Sequence, residues 1–155
     1  DWKIVGKREM FIPYNAYRLH SPQLKYAELL TPGHINPDAM RYERHRVWEL
    51  EGTLKPGYRH LYGKRKLYID EDTWFPMLAD NYDNRGELWR TSMVNYYYAY
   101  ESQAQQAGVG LYHDLNAGSY LAFNLINEQR NGYQLNKPGF SPKDFGPEAA
   151  RRFGQ

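Results

Sequence analysis

The sequence predicts a mainly β domain built on a curved antiparallel sheet, with little helix and a long C-terminal tail. Strand-like alternation of apolar and polar residues runs almost without a break through residues 40–94. The joints between these segments carry Pro, Gly, Asn and Asp, which favour turns. Aromatic residues make up 16% of the chain and fifteen of them are tyrosines, a residue type that favours strands.

The individual strands follow from the alternation and from the turn residues that bound it. The predicted strands are, in chain order, residues 3–13, 41–54, 59–69, 74–79, 87–98, 111–114 and 119–126. Pro56 and Gly57 predict a type II turn before the third strand, because Pro presets φ and Gly accepts a positive φ. A right-handed twist makes an antiparallel sheet of about six to eight strands curl.

The rest of the chain carries weaker signals. Residues 14–39 are predicted to be irregular with a helical turn or two within 23–30, and residues 103–110 a polar loop. The 155 residues are enough for one β-rich domain, with a sheet body at 1–126 and a tail at 127–155. Pro147 begins a short helix in that tail. A strand pattern starts almost at Asp1, so we expect the chain to be the C-terminal part of a longer protein.

Composition excludes several classes of function. The chain has no cysteine, so it has no disulfide and no thiolate chemistry. Its net charge is +2, too small to indicate a nucleic-acid partner. No apolar run approaches the roughly 20 residues that a membrane-spanning helix needs.

No motif in the sequence predicts catalysis, a metal or a cofactor. The five histidines lack the spacing that places two imidazoles on one metal, although His45 and His60 could meet across a hairpin. Asp70 and Asp72 begin like a calcium loop, but the central Gly and the final Glu are missing. A non-enzymatic protein with no catalytic residue, no metal and no cofactor is therefore predicted.

The candidate binding residues are large apolar side chains on successive strands. They are Trp48, Leu50, Leu61, Leu67, Trp74, Leu88, Trp89 and Met93. On a curled sheet they could converge on one hollow, and the sequence offers little helix to cover it. Ordinary core packing is the alternative for each of them.

Several segments resemble a catalogued domain of unknown function from Gram-negative bacteria. The matching segments are residues 1–15, 42–48, 68–74 and 79–83, and the resemblance extends over nearly the whole chain. The resemblance implies a periplasmic, outer-membrane-associated protein that is longer than this chain. That family is grouped distantly with the LolA and LolB lipoprotein carriers, which implies a half-barrel that binds acyl chains.

The resemblance and the apolar set together predict non-catalytic binding or transfer of a lipid or other hydrophobic ligand at the outer membrane. The alternative is a structural or interaction module that docks an envelope exporter or outer-membrane protein. The implied partners are a lipid or hydrophobic small molecule, the N-terminal part of the same parent chain, or an RND-type exporter.

Overall fold

A computed structural model describes residues 1–130, 135–136 and 138–154 of the chain. Seven strands form one antiparallel sheet in the order β1-β4-β5-β6-β7-β8-β9, and β2 and β3 form a small separate hairpin. The strands are β1 (Trp2–Pro13), β2 (Leu30–Thr31), β3 (His34–Ile35), β4 (Tyr42–Thr53), β5 (Lys64–Asp70), β6 (Pro76–Tyr82), β7 (Leu88–Ala99), β8 (Ala104–Asp114) and β9 (Ser119–Phe123). The mainly β fold class is confirmed.

Helix contributes little to the described part of the chain. The α-helices are α1 (Tyr26–Leu29) and α2 (Pro147–Phe153), and short 3-10 turns cover Tyr17–His20, Pro37–Ala39 and Pro142–Phe145. None of these described helices has the length and apolar character needed to cross a membrane. The short helix predicted in the tail is present, whereas residues 131–134, 137 and 155 of that tail lie outside the described residues.

Two predicted elements were wrong. The strand predicted at 59–69 begins only at Lys64, because residues 54–63 form a loop in which Tyr58 N donates to Lys55 O at 3.2 Å. The polar loop predicted at 103–110 lies almost entirely in β8, which pairs with β7 from Ala104 onward. Glycine and glutamine hide this strand in the sequence, because neither residue contributes to an apolar alternation.

The sheet curls until its first strand meets β7, although β4, β5 and β6 lie between them. Tyr14, just after β1, forms a parallel bridge with Tyr96, and Asn15 N donates to Tyr96 O at 3.0 Å. Within this curl lies one of two core clusters, formed by Ile12, Tyr14, Val47, Tyr68, Met77 and Tyr96. The sheet is not closed into a barrel, because β1 and β9 are both edge strands.

A second core lies where residues 16–39 cross β8. It consists of Ala16, Leu19, Leu29, Ile35, Ala39, Val109 and Leu111. The irregular segment after β1 therefore covers the same side of the sheet that the curl encloses. Burial of these side chains, rather than helix, stabilises this side of the domain.

His20 joins the covering segment to β8 through both ring nitrogens. Nδ1 lies 3.0 Å from Ala16 O, and Nε2 accepts the Val109 N–H at 3.0 Å. An Nε2 that accepts carries no proton, so the ring is neutral with its proton on Nδ1. Burial lowers the pKa of His20 below its ordinary value of 6.5.

Acidification is therefore expected to destabilise the domain. Since the pKa of His20 is lowered on folding, the unfolded chain binds the proton more tightly, and the free energy of unfolding falls as the pH drops below about 6.5. Urea denaturation at about pH 7.5 and about pH 5 measures this fall. His60→Gln in the exposed loop should keep the full fall, whereas His20→Gln should reduce it. An equal fall in both variants would contradict the assignment to His20.

Candidate ligand-binding site on the outer face of the sheet

The strand registers divide the sheet into two faces. Residues that pair across antiparallel strands project their side chains to the same face. We call the side that carries Val47 and Tyr68 the enclosed face, because both belong to the core within the curl. The opposite side, which carries Trp48, Leu50 and Leu67, is the outer face.

Three of the predicted binding residues lie together on this outer face. Leu50 pairs with Leu67, and Trp48 lies one pair away in the same register. The prediction that they line the hollow of the curled sheet is therefore wrong, because they lie on its opposite face. The enclosed face of β4 carries the buried Glu49 instead, which accepts from Lys66 Nζ at 2.6 Å and lies 3.4 Å from Arg8 Nη1.

The other predicted residues are dispersed. Met93 pairs with Leu111 and packs against the second core, on the enclosed face. Leu61 lies in the loop before β5 and is 63% exposed. Leu88 pairs with Tyr82 at the start of β7, and Trp89 follows it at a register shift. Leu61, Leu88 and Trp89 therefore do not join Leu67, whereas Met93 lines the same depression on β5 to β7 as Leu67.

Trp74 lies on the outer face, where a turn with a strained backbone conformation places its ring. Its ring stacks on that of Trp48 with centroids 6.5 Å apart, and Lys7 Nζ lies 4.3 Å from the Trp48 centroid. Trp74 has a φ of 61°, a left-handed conformation that is uncommon for a bulky residue. Trp74 N donates to Asp70 O at 2.9 Å, which helps to hold this turn. The pair of tryptophans ends the apolar part of the outer face.

The cross-strand register arranges the outer face in rows that differ in polarity. One row is polar over β5 to β9 and consists of Arg65, Asn81, Arg90, Asp114 and Ser119. The next row is largely apolar and consists of Ile4, Leu50, Leu67, Ala79, Ser92, Tyr112 and Leu121. The two rows lie side by side, so a polar strip borders an apolar one.

A trough crosses these rows on β5 to β8. Its apolar half has a volume of about 350 Å³ and is lined by Leu67, Pro76, Ala79, Val94, Tyr112 and others. Its polar half has a volume of about 400 Å³ and is lined by Asn81, Arg90, Asp114, Ser119, Leu121 and others. The two halves share Tyr62, Asn81, Ser92 and Tyr112, so they form one continuous depression.

Two tyrosines form the walls of the trough. Tyr112 lies so close to Gly110 that a Cβ there would be 3.1 Å from its ring. Tyr62, from the loop before β5, accepts a hydrogen bond from Arg90 Nη1 at 3.1 Å and meets the Trp89 ring edge-on at 5.8 Å. The exposed loop that the sequence analysis assigned to a strand therefore supplies one wall.

Arg90 is held in a fixed position in the polar half. Its Nε donates to Asp114 Oδ2 at 2.8 Å, and its guanidinium lies 4.4 Å from the Trp89 ring centroid. Hydrogen bonds to Tyr62 and Asp114 raise the pKa of Arg90, so it stays charged. Asp114 also accepts from Ala117 N and Trp89 Nε1, and the first of these bonds contributes most to lowering its pKa.

Asn81 lies on the floor of the trough between the two arginines. It is 9% exposed and lines both halves of the trough. Its amide can donate and accept hydrogen bonds. The floor of the trough therefore offers a polar group to a bound molecule.

One group of side chains could hold a metal ion. The ligand atoms of His45, Asp70 and Asp72 lie within 4.8 Å of one another. Asp70 is fully buried and accepts from Thr73 N at 3.0 Å and from Thr73 Oγ1 at 2.7 Å, and its other oxygen lies 3.0 Å from His45 Nδ1. These bonds are those of a turn between strands. His45 pairs with Met10 in the sheet, whereas His60 lies in the loop before β5, so the two do not meet in a hairpin.

Sequence reasoning missed the polar half of this site. Arg65, Asn81 and Arg90 come from three strands, and only the pairing register brings them into one row. Tyr62 and Tyr112 were indistinguishable from the many other tyrosines. Apolar alternation, the signal used for the prediction, detects none of these five.

Comparison with known proteins places the chain among longer relatives. The "Uncharacterized protein PA3922" of Pseudomonas aeruginosa is 47% identical over 154 residues, which are 99% of this chain and 34% of that protein. The chain thus spans about a third of the length of this curated relative.

Two solved structures are similar in part. One is a putative outer membrane lipoprotein-sorting protein domain from Vibrio parahaemolyticus, with 17% identity, a TM-score of 0.41, and coverage of 70% of this chain and 43% of that one. The other is a DUF1329 family protein from Desulfovibrio piger, with 20% identity, a TM-score of 0.43, and coverage of 68% and 41%.

A family model also matches the sequence. It covers residues 1–151, which is nearly the entire chain, and its description is "Protein of unknown function (DUF1329)". The segments that suggested a domain of unknown function in the sequence analysis all fall within this match. The chain belongs to the DUF1329 family.

Proposed function

We propose that this chain binds a lipid or other hydrophobic ligand in the trough on the outer face of its sheet. The observation that carries the proposal is the trough itself, whose apolar half is formed by Leu67, Ala79, Val94 and Tyr112. Concave sites with apolar walls and a few placed polar groups are the usual form of a small-molecule site.

The energy available from such a site is sufficient for binding. Covering about 200 Å² of alkyl surface at about 25 cal/mol per Å² contributes about 5 kcal/mol. Part of this is offset by the cost of association and of ordering the alkyl chain. Since about 5 kcal/mol corresponds to a dissociation constant of about 0.2 mM, the apolar half alone is expected to give a weak carrier that releases its ligand readily.

We include in the proposal that binding is non-catalytic. In the polar half, the carboxylate of Asp114 is fully engaged by Trp89, Arg90 and the backbone of Ala117. A general acid or base must lie within hydrogen-bond reach of the reacting group, whereas both oxygens of this carboxylate already accept hydrogen bonds from other donors. A carrier at the outer membrane, on the periplasmic side, is the setting that the family resemblance implies.

Titration with a dansyl-labelled fatty acid tests the proposal directly. The 155-residue chain, and in parallel the full-length Pseudomonas relative, should enhance the dansyl fluorescence saturably at one site per chain. Fluorescence that rises without saturation in both proteins would contradict ligand binding. Co-purification of an envelope protein in its place would favour the alternative of a docking module.

A further inference from the structure

We propose that the ligand of the trough is an amphiphile with one anionic head group, which Arg65, Asn81 and Arg90 bind, while its alkyl tail lies over Leu67 and Ala79. This inference rests on the proposed function and deepens it, because it assigns the chemical class of the ligand and its direction in the site.

The direction follows from the register of the strands. Arg65 pairs with Asn81, and Asn81 pairs with Arg90, so the three side chains stand side by side on β5, β6 and β7. Two residues further along the same strands and on the same face come Leu67, Ala79 and Ser92. Arg90 lines the polar half, Asn81 lines both halves, and Arg65 lines the apolar half beside Leu67. The donors thus stand where the two halves meet, next to apolar groups, which matches a molecule with a head and a tail.

The sign of the head group follows from the donors in the polar row. Arg90 donates hydrogen bonds from Nε to Asp114 and from Nη1 to Tyr62, which leaves Nη2 without a partner among the described residues. Arg65 lies over the Tyr62 ring, with its guanidinium carbon 4.8 Å from the ring centroid. Two guanidinium groups beside one rim of the trough favour a carboxylate or phosphate, which accepts charge-assisted hydrogen bonds.

Asn81 stands between the two arginines, at the place where the halves of the trough meet. The residue is 9% exposed and lines both halves. Its NH₂ group can donate a hydrogen bond to a ligand oxygen that the arginines also bind. The three side chains therefore offer donors to one head group.

The test compares two probes that differ only at the head: dansyl-labelled undecanoic acid and its methyl ester. The unmodified chain should bind the acid about tenfold more tightly than the ester, because only the acid presents a charged acceptor to the arginines. Arg65→Gln and Arg90→Gln should each lower the affinity for the acid much more than the affinity for the ester, which removes most of this preference. Arg85→Gln, in an exposed turn where Arg85 pairs with Asp83, is the matched control and should keep the preference.

Other outcomes separate this inference from the proposed function. Equal affinity of the unmodified chain for acid and ester would overturn the head-group site while leaving a hydrophobic ligand in place. Failure of both probes to bind would overturn both proposals. Arg90→Gln removes the donor that Asp114 accepts from, so it could disturb the fold. Arg65→Gln is therefore the decisive variant, because the Arg65 guanidinium packs on the Tyr62 ring. Acetate should not displace the acid probe, because it has no tail, and displacement by acetate would show a site for small anions only.

Discussion

Replacement of Ala79 by tryptophan is expected to abolish saturable binding of the fatty-acid probe while leaving the protein folded. Ala79 lies on the floor of the trough in β6, between Leu67 on β5 and Ser92 on β7. An indole at this position fills the apolar half, whose volume is about 350 Å³, and projects away from both core clusters. The measurement is probe titration together with far-UV circular dichroism.

Ala107→Trp provides the matched control, since Ala107 is also in a strand but is exposed and does not line the trough. It should bind the probe as tightly as the unmodified chain. Retained binding in Ala79→Trp, with a native spectrum, would show that the ligand lies elsewhere.

Replacement of Gly108 by alanine is expected to lower the free energy of unfolding by about 3 kcal/mol, because it overpacks a buried contact. A Cβ on Gly108 would lie 1.9 Å from His20 Nε2 and 2.7 Å from the carbonyl oxygen of Asn95. Neither group can move freely. His20 bridges Ala16 and Val109, and Asn95 Nδ2 donates to Val109 O at 2.9 Å.

The control for this substitution is Gly146→Ala, where the new Cβ would meet only Lys143 O at 3.6 Å, an ordinary contact distance. Its stability in urea denaturation should stay within about 0.5 kcal/mol of the unmodified chain. Equal stability of the two variants would mean that His20 does not anchor residues 16–39 to β8 in the way described.

Much of the sheet could be predicted from the sequence, because its strands alternate and its turns carry Asp, Gly and Pro. The order of the strands from β4 to β7 follows from these short connections, as consecutive antiparallel strands usually pair. β8 could not be predicted along its length. Its first half pairs through Ala104, Gln105 and Gln106, and the backbone pairing with β7 places these residues in the sheet.

The sequence assigned the faces of β4 incorrectly for a physical reason. Its apolar side, with Trp48 and Leu50, seemed to be the inner one, because apolar residues are usually buried. Glu49 on the other side is 6% exposed, since Lys66 and Arg8 neutralise it from the neighbouring strands β5 and β1. A single strand cannot reveal such partners, which come from elsewhere in the chain.

The apolar half of the candidate site was partly predicted, through Leu67 and Met93, whereas its polar half was not. Arg65 and Arg90 lie far apart in the sequence, and no motif connects them. They meet in one row only after β6 pairs with both β5 and β7. Prediction of a site of this kind requires the register of three strands, including the irregularity near the end of β6.

The location of the bound tail tests the account most directly. Methyl-labelled protein titrated with undecanoic acid in an NMR experiment distinguishes the two faces of the sheet. Binding in the trough predicts chemical-shift changes at the methyl groups of Leu67 and Ala79 on the outer face. Changes confined to Val47, Val109 and Leu111, which lie in the cores of the enclosed face, would contradict it.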